Sequence, residues 1–349
     1  MDTTDHLHLL SPAELFALMR MLRESRNVVV CAHRSPDGDA MGSTLAWATY
    51  LHALGKRVSI VLPNPAPDFL QWLPGAQRIV HFDRQAARGG NLIRQADLIC
   101  CLDFNTLGRL QDMGQLLAGS KAKRILIDHH LDPDAAAFDF LVSRPDLSST
   151  CEVVFRLLMQ LGAYEDMDAA MATCLYCGMM TDTGNFAYAS SRPEVYEIIG
   201  LLLRRGIDKD RIYRNVFFTF SPDRLRLQGF VLYEKLRWLA DGRAALFTLS
   251  REEMKAMHFV RGDGEGLVNL PLQVRGARLS ISLREDTERD VIRVSLRSVD
   301  DFPCNRMAEE FFNGGGHLNA SGGELPFPME EAVRTVERAV EAYREQLLA

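Results

Sequence analysis

Four short apolar runs near the N-terminal end constrain the fold more than any other feature of the sequence. These runs are NVVVCA (27–32), RVSIVL (57–62), ADLICCLD (96–103) and KRILID (123–128). Apolar runs without strict polar alternation predict strands that are buried on both faces, as in a parallel sheet. Helical patterns such as AMGSTLAWATYLHAL lie between the runs or follow them. The sequence therefore predicts a doubly wound, mainly parallel α/β domain.

The pattern changes after about residue 240. AALFTLS, ARLSISLRED and DVIRVSLRS alternate apolar with polar residues, and the helical segments FPCNRMAEEFF and MEEAVRTVERAVEAYREQL follow. Such alternation predicts half-exposed antiparallel strands. We therefore expect an α/β domain over residues 1–205, a helical linker over 206–240 and a smaller α+β domain over 241–349.

Charge and cysteine content narrow the class of protein. A formal net charge of −6 argues against non-specific electrostatic binding of long nucleic acid, which needs an excess of basic side chains. It remains compatible with a small anionic ligand that is bound at one local site. No apolar run is long enough to cross a membrane, and the start, MDTTDHLHLLSPAELF, has no basic segment of a secretory signal. Seven cysteines, an odd number, fit a reducing compartment. We expect a cytoplasmic protein.

One pair of cysteines has the spacing of a redox or zinc motif. Cys174 and Cys177 form a CxxC inside the apolar run MATCLYCGMM. The sequence contains no second such pair and no flanking redox loop. These observations favour buried structural thiols, and the zinc and redox interpretations stay as alternatives.

Acidic and histidine residues cluster where predicted strands and helices end. The members are His33, Asp37, Asp39, Asp103, Asp128, His129, His130 and Asp182. In open parallel sheets, ligands bind beyond the carboxyl ends of the strands, so these side chains can converge. Carboxylates mixed with imidazoles suit manganese or a similar first-row divalent ion. Enough carboxylates are present for one to bridge two metals, an arrangement that activates water for attack on phosphorus.

Each cluster also has a purely structural interpretation. Asp39 could cap the helix that begins near AMGSTL, and Asp103 could cap a helix that begins near Thr106. A histidine at a strand end is often a hydrogen-bonded core residue. Because four clusters occupy corresponding positions, and buried-strand sequence precedes three of them, we favour a metal site.

The ordered set of motifs resembles that of the DHH phosphoesterases. AHRSPDGDAMGS, LDFN, IDHH and MTDTGNF stand where that family has its four motifs, and SSTCEVVFRLL after the third is also typical. GGGHLNASGG resembles the signature of the DHHA1 domain, which accompanies the catalytic domain and binds substrate. The resemblance covers most of the chain, so it implies a DHH catalytic domain, a linker and a DHHA1 domain over the ranges given above.

The resemblance implies roles for the clustered residues. His33 and Asp37 would hold one manganese ion, Asp39 and His129 the other, and Asp103 would bridge them; magnesium or cobalt could substitute. Asp182 would complete the coordination sphere of the second ion or bridge as well. His130 would act near the scissile phosphate as hydrogen-bond donor or general acid, and Asp128 would orient the neighbouring histidines.

The same resemblance implies an anion cradle in the second domain. Its members would be Arg297, Gly314, Gly315, Gly316, His317 and Ser321. Runs of glycine let backbone amides approach an anion closely. The family pattern usually has glycine where this chain has Asn313, a residue that tolerates left-handed backbone geometry, so we expect the loop to be kept. The alternative for the glycines is a flexible hairpin, and for Arg297 a solvated strand residue.

The architecture resembles the stand-alone oligoribonuclease group of the family. This implies hydrolysis of short RNA (nanoRNA) and linear dinucleotides such as pApA or pGpG, with 3′-phosphoadenosine 5′-phosphate (pAp) phosphatase activity. Cyclic di-AMP hydrolysis is the first alternative, and a pyrophosphatase or exopolyphosphatase activity is a weaker one. A nucleotide sensor without turnover is a third. We expect neither membrane nor long duplex nucleic acid as a partner, and the resemblance leaves a homodimer open.

Overall fold

The structure is a computed structural model that describes residues 5–218, 221–260 and 262–349. The chain divides into two compact units, Met1–Thr219 and Phe220–Ala349. Residues of the linker predicted over 206–240 are shared between the units, because a helix at Lys209–Phe217 lies in the first and a helix at Pro222–Phe230 in the second.

The first unit contains a six-stranded sheet. Its strands are β1 (Asn27–Cys31), β2 (Arg57–Leu62), β3 (Val80–His81), β4 (Leu98–Leu102), β5 (Lys123–Asp128) and β6 (Phe140–Ser143). The order is β3-β2-β1-β4-β5-β6, and every pairing is parallel. The four apolar runs form β1, β2, β4 and β5, which confirms the prediction of a parallel α/β sheet.

Helices surround this sheet. They are α1 (Pro12–Glu24), α2 (Gly38–Ala53), α3 (Ala86–Gln95), α4 (Asp112–Ala118), α5 (Thr150–Gln160), α6 (Ala169–Asp182), α7 (Pro193–Arg204) and α8 (Lys209–Phe217). Short 3-10 helices occupy Asp5–Leu7, Asp68–Leu70, Ala76–Arg78, Leu107–Leu110 and Ala135–Ala137. Strand residues on one face of the sheet belong to a hydrophobic cluster that contains Trp47 and Phe155. Those on the other face belong to a separate cluster that contains Phe104 and Met113. The sheet is thus covered on both faces.

Helix α2 is almost entirely buried and packs closely against α5 and α6. Small residues permit the close approach: a Cβ atom at Gly42 would lie 2.3 Å from the carbonyl oxygen of Cys174. A Cβ atom at Gly178 on α6 would lie 2.2 Å from Sγ of Cys151. The apolar character of α2 and α6 on all sides is typical of helices in the interior of a domain.

The strand order reverses between β1 and β4. After β1 the chain adds β2 and β3 on one side, and then returns to add β4, β5 and β6 on the other. In open α/β sheets this switch point leaves a crevice beyond the carboxyl ends of the two central strands. His33 follows β1 and Asp103 follows β4, so both lie at this crevice.

The second unit has a mixed six-stranded sheet. Its strands are β7 (Arg237–Leu239), β8 (Ala244–Leu249), β9 (Leu279–Glu285), β10 (Val291–Ser298), β11 (Gly315–His317) and β12 (Ala320–Pro326), in the order β11-β12-β10-β9-β8-β7. Its helices are α9 (Pro222–Phe230), α10 (Arg251–Ala256), α11 (Cys304–Phe311), α12 (Met329–Ala342) and α13 (Arg344–Leu348), with a π-helix at Val231–Lys235 and 3-10 helices at Ala240–Gly242 and Leu267–Gln273.

Alternation correctly predicts three strands of this sheet but not all of their directions. β8 pairs with β9 in parallel, whereas the other pairings are antiparallel. The expectation of antiparallel strands is therefore wrong for this pair. Alternating hydrophobicity reports that one face is buried, and it carries no information about strand direction.

Within the residues that the structure describes, no helix combines the length and apolar character that a bilayer crossing requires.

Candidate metal centre

Asp103 follows β4 and lies between two histidines that follow the strands on either side of β4, which are β1 and β5. Its Oδ2 atom is 3.3 Å from Nε2 of His33, and its Oδ1 atom is 3.7 Å from Nε2 of His129. All three side chains are buried. The ends of β1, β4 and β5 therefore deliver one carboxylate and two imidazoles to a single place, as the order of the parallel strands requires.

Asp37 caps helix α2. Its Oδ1 atom accepts hydrogen bonds from the backbone amides of Asp39 and Ala40, at 3.0 and 3.1 Å. Its Oδ2 atom lies 3.7 Å from Nε2 of His33. The interpretation of Asp39 as the helix cap is wrong, since Asp37 has that position and Asp39 is the second residue of the helix.

Asp39 is held by the first turn of a second helix. The backbone amide of Thr150 donates to its Oδ2 at 2.7 Å, and that of Cys151 donates to its Oδ1 at 2.8 Å. Both amides belong to the N-terminus of α5, where unpaired N–H groups and the helix dipole favour a negative charge. Asp39 Oδ2 also lies 3.9 Å from Nε2 of His129.

Asp103 belongs to three groups of potential ligand atoms, one of which it forms with Asp128 and His130 and two of which consist of predicted metal ligands. Ligand atoms lie within 4.8 Å of one another in the group His33, Asp37, Asp103 and in the group Asp39, Asp103, His129. Asp182 belongs to neither group among the described residues, but its Oδ2 atom lies 3.4 Å from Nε2 of His129. The structure therefore brings all six predicted metal ligands together, with Asp103 in the shared position.

The two histidines present the same ring nitrogen to the carboxylates. Nδ1 of His33 lies 2.8 Å from the carbonyl oxygen of Arg34, and Nδ1 of His129 lies 3.4 Å from that of Leu147. A carbonyl oxygen only accepts, so Nδ1 carries the proton in both rings. The neutral ring then has its lone pair on Nε2, which is how a histidine is usually prepared to bind a metal.

The charges of this cluster are not balanced by protein groups alone. Burial, and then the nearby charges of Asp103 and Asp182, raises the pKa of Asp39 well above its ordinary value. Burial also raises the pKa of Asp182 to about 7, although the charge of His129 opposes this. Buried carboxylates that retain protons near neutrality are those for which a divalent cation is a better partner.

The pKa values of His33 and Asp103 shift in the direction opposite to the effect of burial. Burial lowers the pKa of His33, but hydrogen bonds to Asp103 and Asp37 outweigh it and raise the pKa to about 10. Burial raises the pKa of Asp103, but the hydrogen bond and charge of His33 outweigh it and hold the pKa far below the ordinary value. Without a bound cation, these shifts favour a proton on His33 that faces the ionised Asp103. The residues present thus fit a divalent cation centre.

The backbone of Asp103 is in an unusual conformation. Its φ angle is +61°, a region that few residues other than glycine adopt. The hydroxyl of Thr150 donates to its Oδ1 at 3.1 Å. The interpretation of Asp103 as a helix cap is wrong, because the 3-10 helix at Leu107–Leu110 has no side-chain cap.

His130 is held by Asp128, and its Nδ1 atom also lies 3.7 Å from Oδ1 of Asp103. Oδ1 of Asp128 accepts from Nδ1 of His130 at 2.7 Å. Asp128 is fully buried, and its Oδ2 atom has no hydrogen-bond partner among the described residues. The pair has the geometry of a carboxylate that accepts the Nδ1 proton of an imidazole, so Nε2 can donate a proton when the ring is doubly protonated and can accept one when it is neutral.

Cys174 and Cys177 lie in the buried interior of α6. Burial raises the pKa of the Cys177 thiol to about 12 and that of Cys174 still higher. Raised pKa values of this kind make thiols poor thiolate nucleophiles at neutral pH. This environment is that of structural thiols.

The residues predicted for an anion cradle lie on three neighbouring strands of the second unit. Ala320 of β12 is in register with His317 of β11 on one side and with Arg297 of β10 on the other. Residues in register across antiparallel strands share a face, so the small side chain of Ala320 separates the imidazole from the guanidinium. Ser321 is buried, and its hydroxyl donates to the carbonyl oxygen of His317 at 2.8 Å.

Two of the three glycines have packing reasons of their own. A Cβ atom at Gly314 would lie 1.8 Å from the carbonyl oxygen of Gly322, and Gly316 has a φ angle of +144°. A Cβ atom at Gly315 would meet no atom closer than 3.9 Å. Asn313 has a φ angle of +49°, which confirms that it adopts left-handed geometry. The segment forms the β11–β12 hairpin.

Several residues that support the centre were not predicted. Asn64, which follows β2 and is buried, accepts from the amide of Ser35 at 2.7 Å and so fixes the loop between β1 and α2. Thr150 contacts both Asp39 and Asp103, as described above. The segment SSTCE is visible in the sequence, but only the fold shows that its amides face a carboxylate more than a hundred residues earlier.

Comparison with known proteins gives a consistent result. The DHH family, N-terminal domain, matches residues 27–179. The chain is 29% identical to the bifunctional oligoribonuclease and PAP phosphatase of Thermus thermophilus, over 92% of this chain and 90% of that protein. It is 22% identical to the cyclic-di-AMP phosphodiesterase GdpP of Bacillus subtilis, over 94% of this chain but 50% of that protein.

A solved structure shows the same fold over nearly the whole chain. It is that of an exopolyphosphatase-related protein from Bacteroides fragilis, with 46% identity, a TM-score of 0.92, and coverage of 97% of this chain and 98% of that one. The motif order, the parallel sheet and the shared position of Asp103 agree with these similarities. The chain belongs to the DHH family, and its similarity to these proteins supports a hydrolase that acts on phosphate esters.

Proposed function

We propose that this chain is a cytoplasmic, manganese-dependent phosphodiesterase that hydrolyses short oligoribonucleotides and linear dinucleotides to mononucleotides and also dephosphorylates pAp. The main support for this proposal is that Asp103 belongs both to the ligand group with His33 and Asp37 and to the ligand group with Asp39 and His129. Similarity to an oligoribonuclease and PAP phosphatase over nine tenths of both chains supports the substrate class. The seven free thiols support a reducing compartment.

The ligand set supports two divalent ions. His33 and Asp37 would hold one, Asp39 and His129 the other, and Asp103 both, with Asp182 beside His129. Bound there, divalent cations supply Lewis-acid activation of water and of the phosphoryl oxygens. The mixture of carboxylates and imidazoles favours manganese, and magnesium or cobalt are the substitutes to compare.

His130 would supply the proton chemistry of the chain itself. Asp128 accepts the Nδ1 proton at 2.7 Å, and its charge would stabilise the doubly protonated ring, which can donate its Nε2 proton to a phosphoryl oxygen or to the leaving oxygen. This division separates metal binding from proton donation. Removal of the imidazole should therefore lower the rate of hydrolysis more than it lowers affinity for the metal.

Arg297 and His317 would recognise a terminal phosphate of the substrate. A guanidinium and an imidazole in register on either side of Ala320 offer donors to one anion. Gly315 leaves its backbone open to a close approach, because a Cβ atom there would meet nothing within 3.9 Å. Ser321 and the other two glycines would maintain the hairpin that carries these groups.

A substrate panel tests the proposal. The purified full chain, with manganese, magnesium or cobalt, is incubated with pApA, pGpG, RNAs of two to about five nucleotides, and pAp, and mononucleotides are separated by chromatography. We expect release of mononucleotides with manganese and no release after chelation. Full activity after exhaustive chelation, or no activity on any linear substrate, would overturn the proposal.

Cyclic di-AMP hydrolysis is the second candidate. Similarity to GdpP over 94% of this chain favours it, although this chain spans only half of that protein. Cyclic di-AMP has no terminal phosphate, so its cleavage should not depend on Arg297. A rate on cyclic di-AMP above that on pApA, unchanged by Arg297→Met, would favour this candidate. Since the Bacteroides fragilis protein is called exopolyphosphatase-related, pyrophosphate and polyphosphate belong in the same panel.

A further inference from the structure

A fully buried carboxylate outside the ligand set lies close to the centre. Glu152, in the first turn of α5, accepts five hydrogen bonds. Its Oε2 accepts from the amide and hydroxyl of Ser148, at 2.9 and 2.7 Å. Its Oε1 accepts from Nε and Nη2 of Arg156, at 2.9 and 2.7 Å, and from Nη2 of Arg192 at 2.7 Å. We refer to Glu152, Arg156 and Arg192 as the buried ion cluster.

The segment that this cluster fixes contacts three of the proposed ligands. Ser148 lies between Leu147, whose carbonyl oxygen faces Nδ1 of His129, and Thr150, whose amide and hydroxyl reach Asp39 and Asp103. The ordinary partner of a glutamate at this helical position is the amide of the capping residue itself. Here the carboxylate reaches one residue further back, and so holds the segment before the cap as well as the helix.

Arg192 joins a second segment to the first. It precedes α7 and follows the loop that leaves Asp182 at the end of α6. Its Nη1 atom donates to the carbonyl oxygen of Asp146 at 3.1 Å, and its Nη2 atom donates to Glu152. One guanidinium therefore links the loop after Asp182 with the segment that supports Asp39, Asp103 and His129.

Stability alone is a weak reason for such a cluster. Removing a carboxylate and a guanidinium from water costs much of what their attraction returns, so a buried ion pair contributes little net stability. What it does provide is a fixed geometry for the groups it contacts. Partners that orient metal ligands typically change metal affinity about 10–100-fold when they are removed.

We propose that Glu152, Arg156 and Arg192 are positioning residues that hold residues 147–151 against Asp39, Asp103 and His129, and so set the affinity of the centre for divalent cations. This rests on the metal centre proposed above. The cluster takes no part in the reaction itself. Loss of the cluster lowers the affinity for metal, and it lowers turnover only because less metal is bound.

The test is a titration of the metal-free full chain with manganese, in which free Mn²⁺ is followed by electron paramagnetic resonance. Arg192→Met is the informative variant, because the Glu152–Arg156 pair stays intact and Arg192 is more than a third exposed, which favours folding. We expect its Mn²⁺ affinity to fall about 10-fold, with recovery of turnover at saturating Mn²⁺. Arg192→Lys keeps the positive charge but loses the planar guanidinium, so its Mn²⁺ affinity should lie between those of the wild type and Arg192→Met.

Arg205→Met is the matched control. Arg205 also lies in the first unit and also joins two carbonyl oxygens, those of Tyr164 and Glu165, at 3.0 and 3.3 Å. We expect wild-type Mn²⁺ affinity for this variant. Equal weakening in both methionine variants, or wild-type affinity in Arg192→Met, would overturn the inference. A wild-type chain that binds no divalent ion would overturn the metal centre itself, and the inference with it.

Discussion

Oδ1 of Asp128 lies 2.7 Å from Nδ1 of His130, and the two side chains are separated by one residue at the end of the same strand. The carboxylate is fully buried, so the imidazole has a fixed orientation and a fixed protonated nitrogen. Asp128→Asn should therefore lower kcat about 10–100-fold, because a neutral amide no longer stabilises the doubly protonated ring that donates from Nε2. Steady-state kinetics on pApA at saturating manganese measures this.

A double variant tests whether Asp128 affects catalysis only through His130. If Asp128 acts through His130, Asp128→Asn combined with His130→Ala should be no slower than His130→Ala alone. Mn²⁺ affinity should stay near that of the wild type in all three variants. Additive losses of kcat would contradict the pairing of the two residues in function.

The metal-free protein should become less stable as pH rises. The pKa of Asp182 is raised by burial to about 7 from an ordinary value of 3.8, so the stability that its proton provides is lost as pH approaches 7. The raised pKa of His33, about 10, gives stability that is complete below its ordinary value of 6.5 and is lost as pH rises to about 10. Asp37 and Asp103 have lowered pKa values, so their contributions to stability are constant between about pH 5 and 9.

Thermal unfolding in chelator between about pH 5 and 9 checks this dependence. We expect the unfolding midpoint to fall across the range. Mn²⁺ should raise the midpoint more at pH 8 than at pH 6, because the cation competes with the same protons. A midpoint that rises with pH in chelator would show that the buried carboxylates are not protonated as described.

Gly178 should be intolerant of a side chain. A Cβ atom there would lie 2.2 Å from Sγ of Cys151 and 3.0 Å from Oδ1 of Asp39. Gly178→Ala should lower the free energy of unfolding by about 1–3 kcal/mol, as overpacking in cores does, and should also weaken Mn²⁺ binding.

Gly200 in the middle of α7 is the matched control. A Cβ atom there would meet nothing within 4 Å. Gly200→Ala should stabilise the protein by about 1 kcal/mol, since alanine favours the helix, and should leave Mn²⁺ binding unchanged. Chemical unfolding in chelator, followed by circular dichroism, compares the two variants. Equal stability of both would contradict the packing described for α2, α5 and α6.

The cysteines should be unreactive in the folded protein. All seven are free and buried, and burial raises the pKa of six of these thiols. A thiol-reactive chromophore should therefore label none of them in native buffer and all seven in denaturant. Fast native labelling of Cys174 or Cys177 would revive a redox or metal-binding role for the CxxC pair.

The sequence predicts the central strands of the first sheet well and its edges poorly. β1, β2, β4 and β5 are buried on both faces and carry apolar runs that need no tertiary information. β3 has two residues, and β6 is partly exposed, so neither has such a run. In the second unit, alternation predicts β8 and β9 but not their parallel pairing, which depends on the path of the chain between them.

The candidate centre divides in the same way. His33, Asp103 and His129 could be predicted, because parallel strands place their carboxyl ends at one edge of the sheet. The contacts of Asp39 with the amides of Thr150 and Cys151 could not, since they join residues 111 and 112 positions apart through the packing of two helices. The link between Arg192 and Glu152 depends on packing in the same manner.

Anomalous scattering from crystals of the full chain grown with manganese tests the central claim most directly. Two anomalous peaks are expected, one bounded by His33, Asp37 and Asp103 and the other by Asp39, Asp103 and His129. In Asp103→Asn crystals, at least one peak should be lost. Wild-type crystals with no peak at these residues, or with manganese bound by other side chains, would contradict the account.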